Sequence, residues 1–350
     1  MTSPDGARLA LDMHLRRIVG LHFSPETGTP YWLRQASAWG FDPREEIETF
    51  SDLLRLPPFD KAALRDAPHE DWIPRHLAGR PFHVFETGGT TGMPTQRVSW
   101  DDHRIDYENF SERLDDGAFP RGASWLIVGP TGPRRLRLAM EHLANARGGV
   151  AYHVDLDPRW VRRALAAGDA EGARRYQDHV IEQALVLLRN RPVGCLFTTP
   201  RLLEALGERI GLARSLHGVL LGGTSMSPQT VRFLAEEVLE GRVPLVPVYG
   251  NTLMGLAASE PLGPTWEVVY HAPQPRAVLR VVDARGQVVP YGARGQVELT
   301  TLTEELFMPR LLERDEAIRR PPVASMPWDG VGDVRPLGTG EGRRTIEGVY

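Results

Sequence analysis

Lysine and cysteine are almost missing from this chain: its 350 residues contain one lysine, Lys61, and one cysteine, Cys195. A lone thiol excludes an internal disulfide framework and a cysteine-based zinc site, and its apolar surroundings from Val193 to Phe197 read as a buried structural position. With a single lysine, nearly all positive charge is arginine, which clamps phosphate or carboxylate bidentately but does not titrate as a base. Lys61 falls in PPFDKAALRDAP, a polar stretch that reads as the start of an exposed helix, so the sequence predicts a site without a mobile ammonium. Long apolar runs are missing too. No segment approaches the ~18 uninterrupted apolar residues of a membrane span, and the N-terminus is too charged for a signal peptide, so the expected location is cytoplasmic. The formal net charge of -4 gives no electrostatic reason to expect nucleic acid or an anionic membrane as partner. Small neutral or anionic ligands held by local groups fit better.

What the chain does have is enough apolar material, 41% of its residues, for one large α/β domain or two packed lobes. Residues 1–75 read as a mostly helical covering layer, with Tyr31, Trp32 and Trp39 as packing aromatics. From Arg174 to Thr252 strand-like and helix-like runs alternate. Val193 to Thr198, Leu216 to Leu221 and Val243 to Val248 are the predicted strands, with Pro200 and Ser227-Pro228 opening the helices between them. Such alternation means a mostly parallel sheet whose ligands sit beyond the carboxyl ends of its strands. Standing there are Thr198-Thr199-Pro200, Gly222-Gly223-Thr224-Ser225 and Tyr249-Gly250-Asn251-Thr252. The last hundred residues change character. AVLRVVDARGQVVPYGARGQVELTTL alternates and carries tight-turn signals, so it reads as an antiparallel, barrel-like sheet.

The stretch PFHVFETGGTTGMPTQRVSWDD, Pro81 to Asp102, carries the strongest local signal. A strand-like lead-in gives way to Thr87-Gly88-Gly89-Thr90-Thr91-Gly92, where a backbone free of bulky side chains can bring N–H groups and the hydroxyls of Thr90 and Thr91 close to an anion. Alone, that pattern is either a phosphate cradle or an ordinary turn. It is not a Walker loop, because Met93-Pro94 follows the last glycine. Asp101 and Asp102 begin the next helix, where they invite a metal reading but more simply offset the helix macrodipole. His142, on a helix that follows another small-residue turn, either faces a pocket or is a satisfied polar group, and Met254 is a second candidate pocket residue by its position near a strand end.

Thr87-Gly88-Gly89-Thr90-Thr91-Gly92-Met93-Pro94 resembles the phosphate-loop signature of the adenylate-forming superfamily, with Gly88 where a serine and Thr95 where a lysine is usual. Gly222-Gly223-Thr224 and Tyr249-Gly250-Asn251-Thr252 resemble two further segments that border the adenine and the α-phosphate in that superfamily. The resemblance implies that Tyr249 stacks on the adenine, that Thr252 bonds the α-phosphate, and that Asp333 of Gly332-Asp333 holds the ribose hydroxyls. Leu253 stands where the magnesium-binding glutamate is expected, with Glu260 nearby, so ATP or AMP is the implied ligand and magnesium accompanies ATP through an unidentified ligand set. Gly295 to Leu302 resembles a run of the phenylacetate-CoA ligase branch.

The implied fold is the large N-terminal portion of the adenylate-forming fold: mostly parallel sheets flanked by helices, plus a C-terminal antiparallel barrel-like subdomain. Its divisions would be a helical layer (1–75), an α/β nucleotide-binding core (76–260) and a β-rich subdomain (261–350) ending at the hinge, with the mobile C-terminal domain absent. The implied reaction is ATP-dependent activation of an aromatic or other hydrophobic carboxylic acid as an acyl-adenylate. A separate acyl reductase or transferase would consume it, as for the stand-alone adenylation-like proteins of phenazine antibiotic biosynthesis. The missing lysines and glutamate keep a second function open, that of a catalytically impaired adenylate- or acid-binding scaffold for a partner enzyme. A homodimer is compatible with either.

Overall fold

The computed structural model describes residues 3–87, 94–132 and 135–338. Its first helix, Pro4–Phe23, starts where the Ser3 side chain accepts from the Gly6 N–H and a proline occupies the first turn, whose N–H groups have no intrahelical partner anyway. Leu11, Leu15, Ile18 and Val19 recur at helical spacing and are all buried. Each such side chain, fully buried, contributes about 1.5–3 kcal/mol. The aromatics pack as expected: Trp32 is buried with its indole N–H on the Phe307 carbonyl at 2.9 Å, and Tyr31 stacks on Trp72 at 4.2 Å between centroids.

Strands β1 (His83–Glu86) and β2 (Gln96–Ser99) form a separate antiparallel hairpin on either side of the glycine loop. Strands β3 (Ser124–Gly129), β4 (Ala151–Asp155), β5 (Val193–Thr198), β6 (Gly218–Leu221) and β7 (Leu245–Asn251) run parallel in the order β4-β3-β5-β6-β7. Helices cover both faces. Alternate residues of one strand therefore feed two different cores: Leu126 and Val128 of β3 join one cluster, Trp125 and Ile127 the other. Cys195 is fully buried in β5, and that burial pushes its thiol up to about 12, an inert structural position.

The remaining strands are antiparallel: β8 (Gly255–Ser259), β9 (Val269–His271), β10 (Ala277–Val282), β11 (Arg294–Leu302), β12 (Phe307–Arg320) and β13 (Gly330–Pro336). They continue the parallel half edge to edge through β7 and β8, so among the described residues eleven strands share one sheet. The hairpin with β8 also explains why β7 runs past its expected end at Val248. Gly250 and Asn251 pair with Leu256 and Gly255, so the segment expected to lie beyond the strand is its last turn.

Candidate functional site

One cavity of about 810 Å³ opens where the parallel strands meet the antiparallel half. Its wall is drawn from Thr87 and Thr95 at the mouth of the glycine loop, Gly223 and Thr224 after β6, Tyr249 to Leu253 at the β7–β8 turn, and Asp333 on β13. Segments far apart in the chain thus surround one space. Gly88, Gly89, Thr90, Thr91 and Gly92 lie outside the described residues. What is described is the base of their loop, which Thr87 and Thr95 close. The Thr87 N–H donates to the Thr95 carbonyl at 2.9 Å, and the Thr95 N–H donates to the Thr87 hydroxyl at 3.1 Å.

At the β6 end, Gly223 has φ +94°, a left-handed conformation that favours glycine. Gly222, behind it, is closely packed: a Cβ there would lie 3.0 Å from a Val248 methyl and 3.2 Å from the Val248 carbonyl, so those neighbours would have to give way. At the next strand end, a Cβ on Gly250 would meet the Gly255 carbonyl at 2.7 Å, so the hairpin itself demands the glycine. Asn251 folds back, its Oδ1 accepting from the N–H groups of Leu253 and Met254 at 2.9 and 2.8 Å. Its Nδ2 donates to Glu313 at 3.2 Å.

Tyr249 lines the cavity with its hydroxyl donating to Asp315 Oδ2 at 2.7 Å. Burial, reinforced by the carboxylates of Asp315 and Glu313, raises its phenol well above the usual value and keeps it a donor. Thr252 donates to the Glu86 carbonyl at 3.2 Å. Asp333 has φ +45° and an exposed carboxylate paired with Arg294. The structure does not bring His142 or Met254 to this wall. His142 bonds Glu108 at 2.7 Å on a helix elsewhere, and Met254 is 2% exposed within the hydrophobic core. Glu260 is likewise committed elsewhere, to His271 at 2.8 Å.

A buried layer of charge ties strand β2 to the β7–β8 turn. Arg97 on β2 donates to the carbonyls of Thr252 and Leu253 at 3.1 and 3.0 Å and pairs with Asp102. Arg276 bridges Asp102 and Asp106 at 2.6 and 2.7 Å, and Arg135 reaches Asp106 at 2.5 Å. Burial alone would raise the Asp102 carboxyl, but Arg97 and Arg276 overcome it and hold it below the usual carboxylate range. Asp102 therefore does more than offset a helix dipole. It is a buried ion-pair partner, 1% exposed, a role that its place at a helix start did not reveal.

Sequence reasoning missed the charged part of the wall. Lys61 does not begin an exposed helix: it lines this cavity, with Nζ 3.3 Å from Glu313 Oε2, so the expectation of a site without an ammonium is overturned. The segment before it is strapped down. The Phe59 N–H donates to the Arg310 carbonyl at 3.3 Å, and the Arg310 guanidinium donates to the carbonyls of Leu54 and Leu56 at 3.2 and 2.7 Å. Glu313 and Asp315 stand two apart on β12, hence on one face, and that spacing was the only signal available for them. Among the described residues no group of three metal-ligating side chains exists, and the cavity's carboxylates have protein partners: Glu86 pairs with Arg159, Glu267 with Arg320, and Asp333 with Arg294.

No protein-family profile matches this chain, and no curated protein matches it. Solved structures do. The chain is similar to a 2-hydroxyisobutyryl-CoA ligase in complex with 2-HIB-AMP and CoA in the thioesterification state, with a TM-score of 0.66 and 18% identity, over 94% of this chain and 67% of the ligase. It is similar to an open conformation of that ligase at TM-score 0.66 and 17% identity, over 94% and 69% of the two chains. The fold is that of the N-terminal part of an adenylate-forming ligase. This chain thus spans about two thirds of the length of those ligase chains. Against the postadenylation state, in complex with R3-HIB-AMP, the TM-score is 0.58 over 89% of this chain and 63% of the other.

Proposed function

We propose that this protein binds ATP in the 810 Å³ cavity and activates a carboxylic acid as its acyl-adenylate, with loss of pyrophosphate. The observation that carries the reading is the convergence on one cavity wall of Thr87, Gly223-Thr224, Tyr249–Thr252 and Asp333, segments spread over some two thirds of the chain. A carboxylate is already ionised at neutral pH, so the reaction needs no general base. It needs orientation and charge stabilisation. In this reading Tyr249 presents its ring to the adenine while Asp315 fixes its hydroxyl, Thr252 meets the α-phosphate, and Asp333 takes the ribose hydroxyls. Thr90 and Thr91 complete the phosphate cradle, with magnesium accompanying the ATP.

The acid is proposed to be aromatic or otherwise hydrophobic, as in the phenylacetate-CoA ligase-like branch, and the adenylate to pass to an acyl reductase or transferase in secondary-metabolite biosynthesis. The test is substrate-dependent exchange of labelled pyrophosphate into ATP over a panel of aryl acids, with the partner present. Exchange with at least one acid is expected; none across the panel removes the reading. One observation favours a second function: Leu253, at the position where the resemblance expects a magnesium ligand, offers no charge. An adenylate-binding scaffold would give AMP binding by calorimetry without turnover.

A further inference from the structure

We propose that Lys61 and Arg65 form an anion subsite of this cavity that receives the phosphate oxygens of the nucleotide; the inference rests on the nucleotide-binding reading above. Both residues line the cavity. They are four apart, Arg65 in the short helix Ala63–Asp66 and Lys61 in the turn that leads into it. Lys61 is held in place by the strap onto β12 and is only 28% exposed. Its partner Glu313 is shared, since Oε1 of the same carboxylate accepts from Asn251 at 3.2 Å. An ammonium carries three donors, and Glu313 takes one. Among the described residues Lys61 has no second ion-pair partner, and Arg65 has no side-chain hydrogen bond or ion pair. Two cationic heads with uncommitted donors therefore border a cavity whose neighbouring acids, Glu313 and Asp315, are already engaged by Asn251 and Tyr249.

Strand β12 serves as a ruler for where these donors stand. Glu313 marks the Lys61 end, Asp315 the position of Tyr249, and Ile318 the pairing partner of Gly332, next to Asp333. Five residues separate Glu313 from Ile318, from the difference of their numbers, which is roughly 16 Å at about 3.3 Å per residue. A ligand lying along β12 with its polyol end at Asp333 and its ring at Tyr249 would direct an anionic tail toward Asn251, Thr252 and Lys61. Thr95, where the resembling loops carry a lysine, is buried, bonded to Thr87 and uncharged. The positive charge for the phosphates comes instead from the N-terminal layer.

Two experiments test this. In the first, adenosine, AMP and ATP are titrated calorimetrically into the wild type, Lys61→Met and Glu313→Gln. Lys61→Met is expected to bind AMP and ATP about tenfold more weakly and adenosine unchanged, whereas Glu313→Gln, which frees the ammonium, binds ATP at least as tightly as the wild type. Equal losses in both variants would mean that the pair is only structural, and an unchanged ATP affinity in Lys61→Met would remove the subsite. Absence of any nucleotide binding by the wild type would overturn the nucleotide reading itself.

The second experiment needs no nucleotide. The aldehyde of pyridoxal 5′-phosphate condenses with the Lys61 amine, losing water, and borohydride reduces the imine to a stable secondary amine. Because the chain holds one lysine, peptide mass mapping separates this label from one on the N-terminal amine. Measured relative to the N-terminal amine in the same sample, which cancels the lower free-aldehyde content of pyridoxal, pyridoxal 5′-phosphate is expected to label Lys61 about tenfold faster than uncharged pyridoxal, and Arg65→Ala to abolish that preference. Equal relative rates for the two aldehydes in the wild type would overturn the anion subsite, whatever the titrations gave.

Discussion

Arg97 reaches across from the glycine-loop hairpin to the carbonyl of Thr252, with Nη1 3.1 Å from that oxygen, and so ties β2 directly to the β7–β8 turn. The same nitrogen lies 3.0 Å from the Leu253 carbonyl, and the other head nitrogen pairs with Asp102. Both charges are nearly inaccessible, at 1% and 2% side-chain exposure. Removing one partner of such a pair leaves an uncompensated charge in the interior. Arg97→Met should therefore lower the unfolding free energy by about 3–5 kcal/mol in urea titrations, and Arg97→Lys by less, because an ammonium keeps the charge but not the fork that spans two carbonyls and a carboxylate. A loss below about 1 kcal/mol for the methionine variant would show that this pair does not hold β2 to the β7–β8 turn.

The histidine at the base of the first helix sets an acid limit on stability. His22 is fully buried, with Nε2 2.8 Å from the Thr303 carbonyl and Nδ1 2.6 Å from the Thr29 hydroxyl. A carbonyl only accepts, so Nε2 carries the hydrogen and Nδ1 of the neutral ring accepts from Thr29. Burial, against the Thr303 hydrogen bond, pushes its pKa down to about 4 from an ordinary 6.5. Between those values the unfolded chain binds a proton that the folded chain does not, so stability is complete above pH 6.5 and is lost as the pH falls toward 4. The full loss is about 3 kcal/mol. His22→Gln, which keeps a donor and an acceptor, should flatten the slope of unfolding free energy against pH in this window. His103, also held down to about 4 by burial and Arg135, leaves a residual slope.

Tyr249 and Asp315 make a prediction that does not depend on any ligand. The Asp315 carboxyl is raised by burial, and the Tyr249 hydroxyl is the contact that most opposes that rise. Tyr249→Phe keeps the ring in the wall but removes the donor. The Asp315 carboxyl should then titrate at higher pH than in the wild type, visible by NMR of the labelled carboxyl carbon, and the protein should lose about 1 kcal/mol of stability. An unmoved Asp315 titration would mean that water replaces the hydroxyl without cost.

Much of the fold was legible because its signals are local. The parallel strand Val193–Thr198 and its neighbours announce themselves as short apolar runs separated by capped helices, and the start of the helix at Pro200 and the cap at Ser227 follow from backbone chemistry alone. The glycines at 222, 223 and 250 were legible for a related reason, since close packing and positive φ leave little choice of residue. The charged groups were not. Lys61 sits in a segment with no clear periodicity, and what carries that segment to the cavity is distant in the chain: the bonds from the Arg310 guanidinium on β12 to the carbonyls of Leu54 and Leu56, some 250 residues earlier, and from the Phe59 N–H to the Arg310 carbonyl. Asp102 misled for the same reason: Thr303, 201 residues away, completes its shell at 2.6 Å. His142 and Met254 were placed by proximity in sequence to strand ends, and proximity in sequence does not say which way a helix or a turn faces.

Asp333 offers the cleanest separation of binding from folding. Its carboxylate is 44% exposed and its partner Arg294 25% exposed, so the pair contributes no more than about 1 kcal/mol to stability. Its φ of +45° is a conformation that asparagine tolerates better than most side chains, so Asp333→Asn removes the charge without straining the backbone. Unfolding free energy should change by less than about 1 kcal/mol. If the carboxylate takes the ribose hydroxyls, the wild type binds ATP more tightly than its 2′,3′-dideoxy analogue. Asp333→Asn should then lose about tenfold in ATP affinity, with the analogue's affinity unchanged, because a carboxylate accepting from two hydroxyls is replaced by a group with one accepting oxygen and no charge. Equal affinities of the wild type for the two nucleotides would place the ribose elsewhere in the cavity, and a parallel loss for both in the variant would mean that Asp333 acts on the nucleotide only through Arg294.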